Sequence, residues 1–145
     1  MTEFQLERFL PFRLNQAAEW VGLGFSGAYR KAFRMTRPEW RVLAGLGAYG
    51  RMTATELGRN TTMHKTKVSR AVRALEERRW LKRRDYEADR RIEHLELTRE
   101  GRRAYEKIAG EALAYERKLA EWLGAEGLRA LETGLAAVER RMGES

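Results

Sequence analysis

The sequence predicts a mainly α chain carrying one small β-hairpin, and three observations predict it. Apolar residues recur every three or four positions over most of the 145 residues. Two hydroxyl-x-x-glutamate boxes open helices before the middle of the chain, and one stretch, Leu81 to Leu97, replaces the helical period with two short alternating runs around a charged turn. The length suits one domain, or one reading head with a few extra helices. Cysteine is absent, which removes disulfide frameworks, thiolate nucleophiles and cysteine-ligated zinc. No run of 18 apolar residues occurs, and the first charged residues are Glu3 and Glu7 rather than a basic stretch before an apolar one. A cytoplasmic protein with no membrane segment is therefore expected.

Leu14, Ala17, Ala18, Val21, Phe25 and Ala28 share one helical face, so a first helix is expected from Phe12 to about Phe33, with Pro11 near its first turn. Thr36-Arg-Pro38-Glu39 has the capping-box spacing and starts a second helix at Arg37, which Gly50 stops. Thr53-Ala-Thr-Glu56 repeats the box for a short helix to about Arg59, and Asn60 to Met63 form a turn. From His64 to Arg78 the apolar Val68, Val72 and Leu75 fall together, while Thr66, Ser69, Arg70 and Arg73 gather on the opposite side. Leu81 to Tyr86 and Ile92 to Leu97 read as two strands joined by a loop from Glu87 to Arg91. A helix from Thr98 carries Tyr105, Ile108, Ala112, Tyr115, Leu119 and Trp122 until Gly124 breaks it, and a last helix carries Leu128, Leu131, Leu135, Val138 and Met142. The terminal helices hold more apolar surface than one small head can bury, which points to a homodimer.

Charge is concentrated in the middle. The net charge is +8, and residues 51 to 103 hold 16 basic against 9 acidic side chains. A local surplus of that kind suits a surface that neutralises phosphates. The order helix, helix, turn, basic helix, charged hairpin describes a winged helix-turn-helix, whose second helix enters the major groove of duplex DNA while the hairpin touches the backbone or minor groove beside it. Thr66, Ser69, Arg70 and Arg73 can offer hydroxyls and guanidinium forks to base edges; Lys65 and Lys67 suit phosphates, and His64 is a further candidate contact. In the loop, Asp89-Arg90-Arg91 puts an acid two residues before an arginine, which it can hold so that the fork is aimed outward into a narrow minor groove.

Asp89-Arg-Arg91-x-x-x-Leu95-x-Leu97-Thr98-x-x-Gly101 resembles the wing-to-helix signature of the MarR (multiple antibiotic resistance regulator) family. Thr66-Lys-Val-Ser-Arg70-x-Val-x-x-Leu75-Glu and Pro38-Glu-Trp-Arg-Val-Leu43 resemble that family's recognition helix and second helix. The resemblance implies a mainly α winged helix-turn-helix at residues 36–100, with a small β-hairpin wing and terminal dimerisation helices at 1–35 and 101–145. It further implies a homodimer that binds a palindromic operator and represses transcription until a small molecule loosens it. It also implies a ligand cavity bounded by the first two helices, where Trp20 and Trp40 beside Arg13, Asn15, Arg34 or Arg41 would suit a planar aromatic acid. Where the family often has glycine, this chain has Arg79, so the preceding helix is expected to end without a left-handed cap.

Other readings are weaker. Gly22-x-Gly24-x-x-Gly27 and Gly45-x-Gly47-x-x-Gly50 match a dinucleotide fingerprint but neither follows a strand and opens a helix, so they read as packing glycines and no cofactor is expected. His64 and His94 lie in different elements and supply no metal site; no catalytic constellation appears, and the chain is not read as an enzyme. The rival from another class is a protein-interaction module whose basic face docks an acidic partner.

Overall fold

Pro11 opens the first long helix of the computed structural model, α1 (Leu10–Phe25), at a position where an amide would find no helical acceptor. The structure describes residues 3–86 and 89–143, without the side chains of residues 86–91. The single helix expected as far as Phe33 is in fact two, because α2 (Gly27–Phe33) starts afresh after Ser26. Both the amide and the hydroxyl of Ser26 donate to the Leu23 carbonyl, at 3.1 and 2.8 Å, and this three-residue turn interrupts the α period.

Both threonines cap their helices through their hydroxyls. Thr36 precedes α3 (Arg37–Tyr49); its hydroxyl accepts the Glu39 amide at 3.3 Å and donates to the Glu39 carboxylate at 2.7 Å. The Thr53 hydroxyl accepts the Glu56 amide at 3.1 Å and starts α4 (Ala54–Thr61), which runs two residues further than the sequence suggests. Next comes α5 (Lys65–Glu77), capped by the His64 imidazole, which accepts the Thr66 amide at 3.3 Å.

Helices α2, α4 and α5 end on left-handed residues, and none is glycine: Arg34, Thr62 and Arg79 have φ of 55°, 53° and 65°. At Arg79 this overturns the expectation of a different ending. The Trp80 amide donates to the Leu75 carbonyl at 3.0 Å and the Arg79 amide to the Glu76 carbonyl at 2.9 Å, the two bonds of a Schellman cap. Tertiary bonds hold the strained residue in place, since the Arg79 carbonyl accepts the Thr98 hydroxyl at 2.7 Å and the Trp80 carbonyl accepts the Thr98 amide at 2.9 Å.

The hairpin pairs β1 (Leu81–Tyr86) with β2 (Asp89–Leu97) in antiparallel register, Leu81 opposite Leu97 and Arg83 opposite Leu95, with an irregularity between Asp85 and Tyr86. The second strand starts three residues before the expected Ile92, so the backbone of Asp89, Arg90 and Arg91 belongs to β2 rather than to a loop. Side-chain alternation marks only the buried half of a strand, whereas ladder bonds need no apolar residue. Met52, between α3 and α4, adds a bridge to Leu95 through two bonds of 3.1 and 2.8 Å.

After Thr98 comes α6 (Arg99–Met142), interrupted as expected at Gly124, where φ is 75° and ψ 166°. The chain divides into two units, Met1–Ala109 and Gly110–Ser145. In the first, Val42, Leu43 and Leu46 of α3 join Leu57, Val68, Val72, Leu75, Leu81, Leu95 and Ile108 in one core. The glycines of α3 serve it. A Cβ at Gly45 would meet Leu57 at 3.0 Å, and one at Gly47 would enter the Tyr105 ring. The second unit pairs Tyr115 with Trp122 edge to face at 6.5 Å.

Two substitutions test the joint after α5. A Cβ at Gly101 would collide with the Trp80 carbonyl, so Gly101→Ala is expected to cost about 3 kcal/mol or to prevent folding. Arg79→Gly is expected to add about 0.5–1 kcal/mol, the strain of about 1–2 kcal/mol less the extra backbone entropy of glycine. Urea denaturation of the two variants measures both changes, and a stabilised Gly101→Ala would refute the close approach.

Candidate nucleic-acid interface

Helix α5 divides cleanly by environment. Val68, Ala71, Val72 and Leu75 are each 3% exposed or less, packed against α3 and α4. Burying such side chains contributes about 1.5–3 kcal/mol each for the larger ones, which fixes the rotation of the helix and so decides what faces water. Lys65, Thr66, Lys67, Ser69, Arg70 and Arg73 are all exposed, as is His64 at the cap. The side chains the sequence grouped on one face are therefore together on the surface of the protomer. Among them Arg73 makes an ion pair with Glu77 at 3.8 Å, both ends largely exposed. A pair of that kind stabilises by about 0.3–0.5 kcal/mol and leaves the guanidinium easy to recruit. Because the His64 nitrogen that caps the helix acts as acceptor, the other ring nitrogen is the donor.

The hairpin is fastened to this helix by a residue the sequence reading passed over. Arg83 on β1 donates to Glu76 of α5 at 3.0 Å and to Glu93 of β2 at 3.0 Å. Those two bonds, Glu76 first, raise the Arg83 pKa above its ordinary value. Lys82 and Arg84 both approach Glu96, at 3.6 and 3.5 Å. Arg59, Lys65, Ser69 and Arg83 line a groove of about 530 Å³ between α4, α5 and β1. The signal for Arg83 was its distance of seven residues from Glu76, which spans a turn and is invisible to helical spacing. The side chains of Asp89, Arg90 and Arg91 lie outside the described residues.

The other end of α5 is clamped by Arg78. Its guanidinium donates to the carbonyls of Phe33 and Arg34 at 2.7 and 3.0 Å, lies 3.7 Å from Glu39 and sits 4.9 Å above the Trp80 ring.

A MarR family profile matches residues 35–92, from the residue before the first capping box into β2. YwoH of Bacillus subtilis (strain 168), described as an uncharacterized HTH-type transcriptional regulator, is 30% identical over 114 residues, covering 79% of this chain and 82% of that one. The chain belongs to the MarR family of transcriptional regulators. Solved structures agree in fold. NadR in complex with 4-hydroxyphenylacetate superimposes with a TM-score of 0.79 at 25% identity, over 95% of this chain and 97% of that one. A MarR family regulator from Silicibacter pomeroyi DSS-3 does so at 0.77 and 27%, over 94% and 98%.

This MarR-family chain also has a second concavity, of about 380 Å³, between α1, α2 and α3. Phe25, Tyr29, Trp40, Arg37 and Arg41 line it, with Gly22 at its edge. Tyr29 and Trp40 stack with centroids 6.1 Å apart, and Phe25 lies 5.7 Å from Trp40. Of the sequence candidates, Trp40 and Arg41 are brought together here; Arg13, Asn15 and the 66%-exposed Trp20 on α1, and Arg34 at the end of α2, are not among the lining residues. Phe25, Tyr29 and Arg37 were missed as cavity residues, Phe25 because it was read only as part of a helical core face. Arg37 donates to Glu19 of α1 at 2.9 Å, and that bond, followed by the Tyr29 hydroxyl, raises its pKa. No helix among the described residues is long and apolar enough to cross a membrane.

Removing the clamp at the end of α5 should be measurable. Bonds to a charged donor contribute about 1.5–3 kcal/mol, so Arg78→Ala is expected to lower stability by about 2 kcal/mol. Thermal or urea unfolding checks it, and a loss under about 0.5 kcal/mol would mean that the clamp is idle.

Proposed function

We propose that this chain is a homodimeric repressor that reads an inverted repeat in duplex DNA through α5 and is released by an aromatic acid. The observation that carries the DNA reading is the single exposed face of α5, on which hydroxyls and guanidiniums stand together because the opposite face is committed to the core. Thr66, Ser69, Arg70 and Arg73 read base edges; Lys65, Lys67 and His64 contact phosphates; and Asp89, Arg90 and Arg91 work the minor groove. Two copies related by a two-fold axis enter major grooves about one helical turn apart.

Residues 1–35 and 101–145 form the dimer platform in this reading, with 36–100 as the reading head. Leu10, Leu14 and Val21 in one unit, and Leu131, Leu135, Val138 and Met142 in the other, are more than two-fifths exposed, and apolar surface of that extent is usually covered by a partner. The aromatic-acid reading is supported by the ring-lined cavity with its two arginines, and by the 4-hydroxyphenylacetate in the NadR complex.

Against a fragment from the region flanking its own gene, Arg70→Ala is expected to lose about 1–3 kcal/mol of binding and to relax base preference. Lys67→Ala is expected to weaken operator and random DNA alike and to lower the salt slope by about one. Equal losses on both DNAs for Arg70→Ala would reject direct readout by that residue, and binding to every fragment alike would return the acidic-partner reading. Sedimentation is expected to give the mass of two chains; a single-chain mass at micromolar concentration would remove the inverted repeat.

A further inference from the structure

Arg41 belongs to two sites at once. It is one of the residues lining the aromatic cavity between α1, α2 and α3, and its Nη2 donates to the backbone carbonyl of Thr61, the last residue of α4. That carbonyl needs an outside donor. The Schellman bonds at the end of α4 supply the Gly58 carbonyl, through the Met63 amide at 3.0 Å, and the Arg59 carbonyl, through the Thr62 amide at 3.4 Å. The Thr61 hydroxyl turns back to the Leu57 carbonyl at 2.6 Å. The Thr61 carbonyl lies beyond both, at the negative end of the helix dipole, where a cation is favoured. Immediately after it, Thr62 takes the left-handed conformation, with φ 53° and ψ 49°. A β-branched residue is a genuine outlier there. Two residues on, His64 caps α5.

We propose that Arg41 is a positioning residue that sets the turn between α4 and α5, and that an anion in the cavity acts by taking its guanidinium away from Thr61. The regulatory half of this rests on the aromatic-acid reading above. The two arginines of the cavity are not equally available. Arg37 is already committed to a carboxylate, Glu19, at 2.9 Å. Arg41 bonds only a neutral carbonyl among the contacts of the described residues, and a ligand carboxylate offers a charge-assisted, two-pronged alternative that is roughly twice as strong. Loss of the guanidinium leaves the Thr61 carbonyl without its donor, beside a strained threonine. The turn then relaxes, and α5, which starts three residues after Thr62, loses its fixed direction. The aromatic rings supply the remaining binding energy and hold the carboxylate at Arg41.

The test follows amide hydrogen exchange of Thr62 and Met63, the two bonded amides of the turn, in the whole chain. Without ligand, Arg41→Gln is expected to speed exchange of these amides about tenfold, while Arg37→Gln leaves them as in the wild type. Arg41→Lys, which keeps a cation at the carbonyl, is expected to restore most of the protection. Protection retained in Arg41→Gln would overturn the proposal; a general loss of protection, extending to Leu46 and Leu75 in the core and not rescued by Arg41→Lys, would show that Arg41 is merely structural, and would overturn it too. In the wild type, 4-hydroxyphenylacetate at 10 mM, on the order of a weak ligand's Kd, is expected to open the same turn, with no further effect in Arg41→Gln. Thermal stabilisation by the probe with the turn still protected would refute the competition while leaving the cavity a binding site. A probe that neither stabilises the protein nor opens the turn would overturn the effector reading itself, and the regulatory half of the proposal with it.

Discussion

The structure depends first on a joint of four residues. Where α5 hands the chain to β1, and where β2 hands it on to α6, two segments are fastened to each other. Thr98 uses its amide on the Trp80 carbonyl at 2.9 Å and its hydroxyl on the Arg79 carbonyl at 2.7 Å, and the same oxygen accepts the Gly101 amide at 3.1 Å. One threonine thus caps α6 and closes the base of the wing. Gly101 follows because only a residue without a Cβ can pass the Trp80 carbonyl at that distance. The threonine and the glycine three residues apart, read in the sequence as part of a family signature, are a requirement of two backbones meeting.

From that joint the electrostatics of the head divide into two populations. The wing's Lys82, Arg83 and Arg84 all have carboxylate partners, in Glu76, Glu93 and Glu96. These basic groups aim the hairpin by local pairing. On α5, by contrast, the only ion pair among the described residues of the exposed basic face is the loose one between Arg73 and Glu77. Charges already satisfied by the protein add little to the binding of an anion, whereas charges left in water can exchange hydration and counterions for phosphate. The basic excess of residues 51–103 therefore overstates the charge left for an outside anion; Lys65, Lys67 and Arg70 of α5 belong to the part that remains, as do the exposed Arg51, Arg59, Arg99, Arg102 and Arg103 outside it.

The helices, their caps and the buried face of α5 were legible because each has a local signature. The Thr36 and Thr53 boxes are four-residue patterns, and Val68, Val72 and Leu75 show the period of a helix whose core face must be apolar. What escaped was either non-local or local without a residue type that marks it. The break at Ser26 turns on one hydroxyl bonding back to Leu23, which the surrounding apolar period conceals. The left-handed ends at Arg34, Thr62 and Arg79 carry no glycine to announce them. The Met52 bridge to Leu95 joins residues 43 positions apart. The cavity was half legible: Trp40 and Arg41 were named, while Phe25 of α1, Tyr29 of α2 and Arg37 at the start of α3 complete its lining.

The missed helix ends have a mechanical meaning. Thr62 and Arg79 bracket α5, one before its cap and one after its last turn. Each holds a conformation that is unfavourable by about 1–2 kcal/mol for a side chain of its kind. Glycine in their place would let the connections settle by themselves. With threonine and arginine, the conformation persists only because neighbours impose it: Arg41 on Thr61 at one end, Thr98 on Arg79 and Arg78 on the end of α2 at the other. The ends of α5 are thus tied by bonds to α2, α3 and the start of α6, in addition to the packing of its own buried face. In the mechanism proposed above, α5 is held while those bonds stand and is released when Arg41 finds a better partner than the Thr61 carbonyl. That is the physical condition a ligand acting from the cavity beside α3 has to meet, because a ligand shifts an equilibrium only through contacts that differ between its two states.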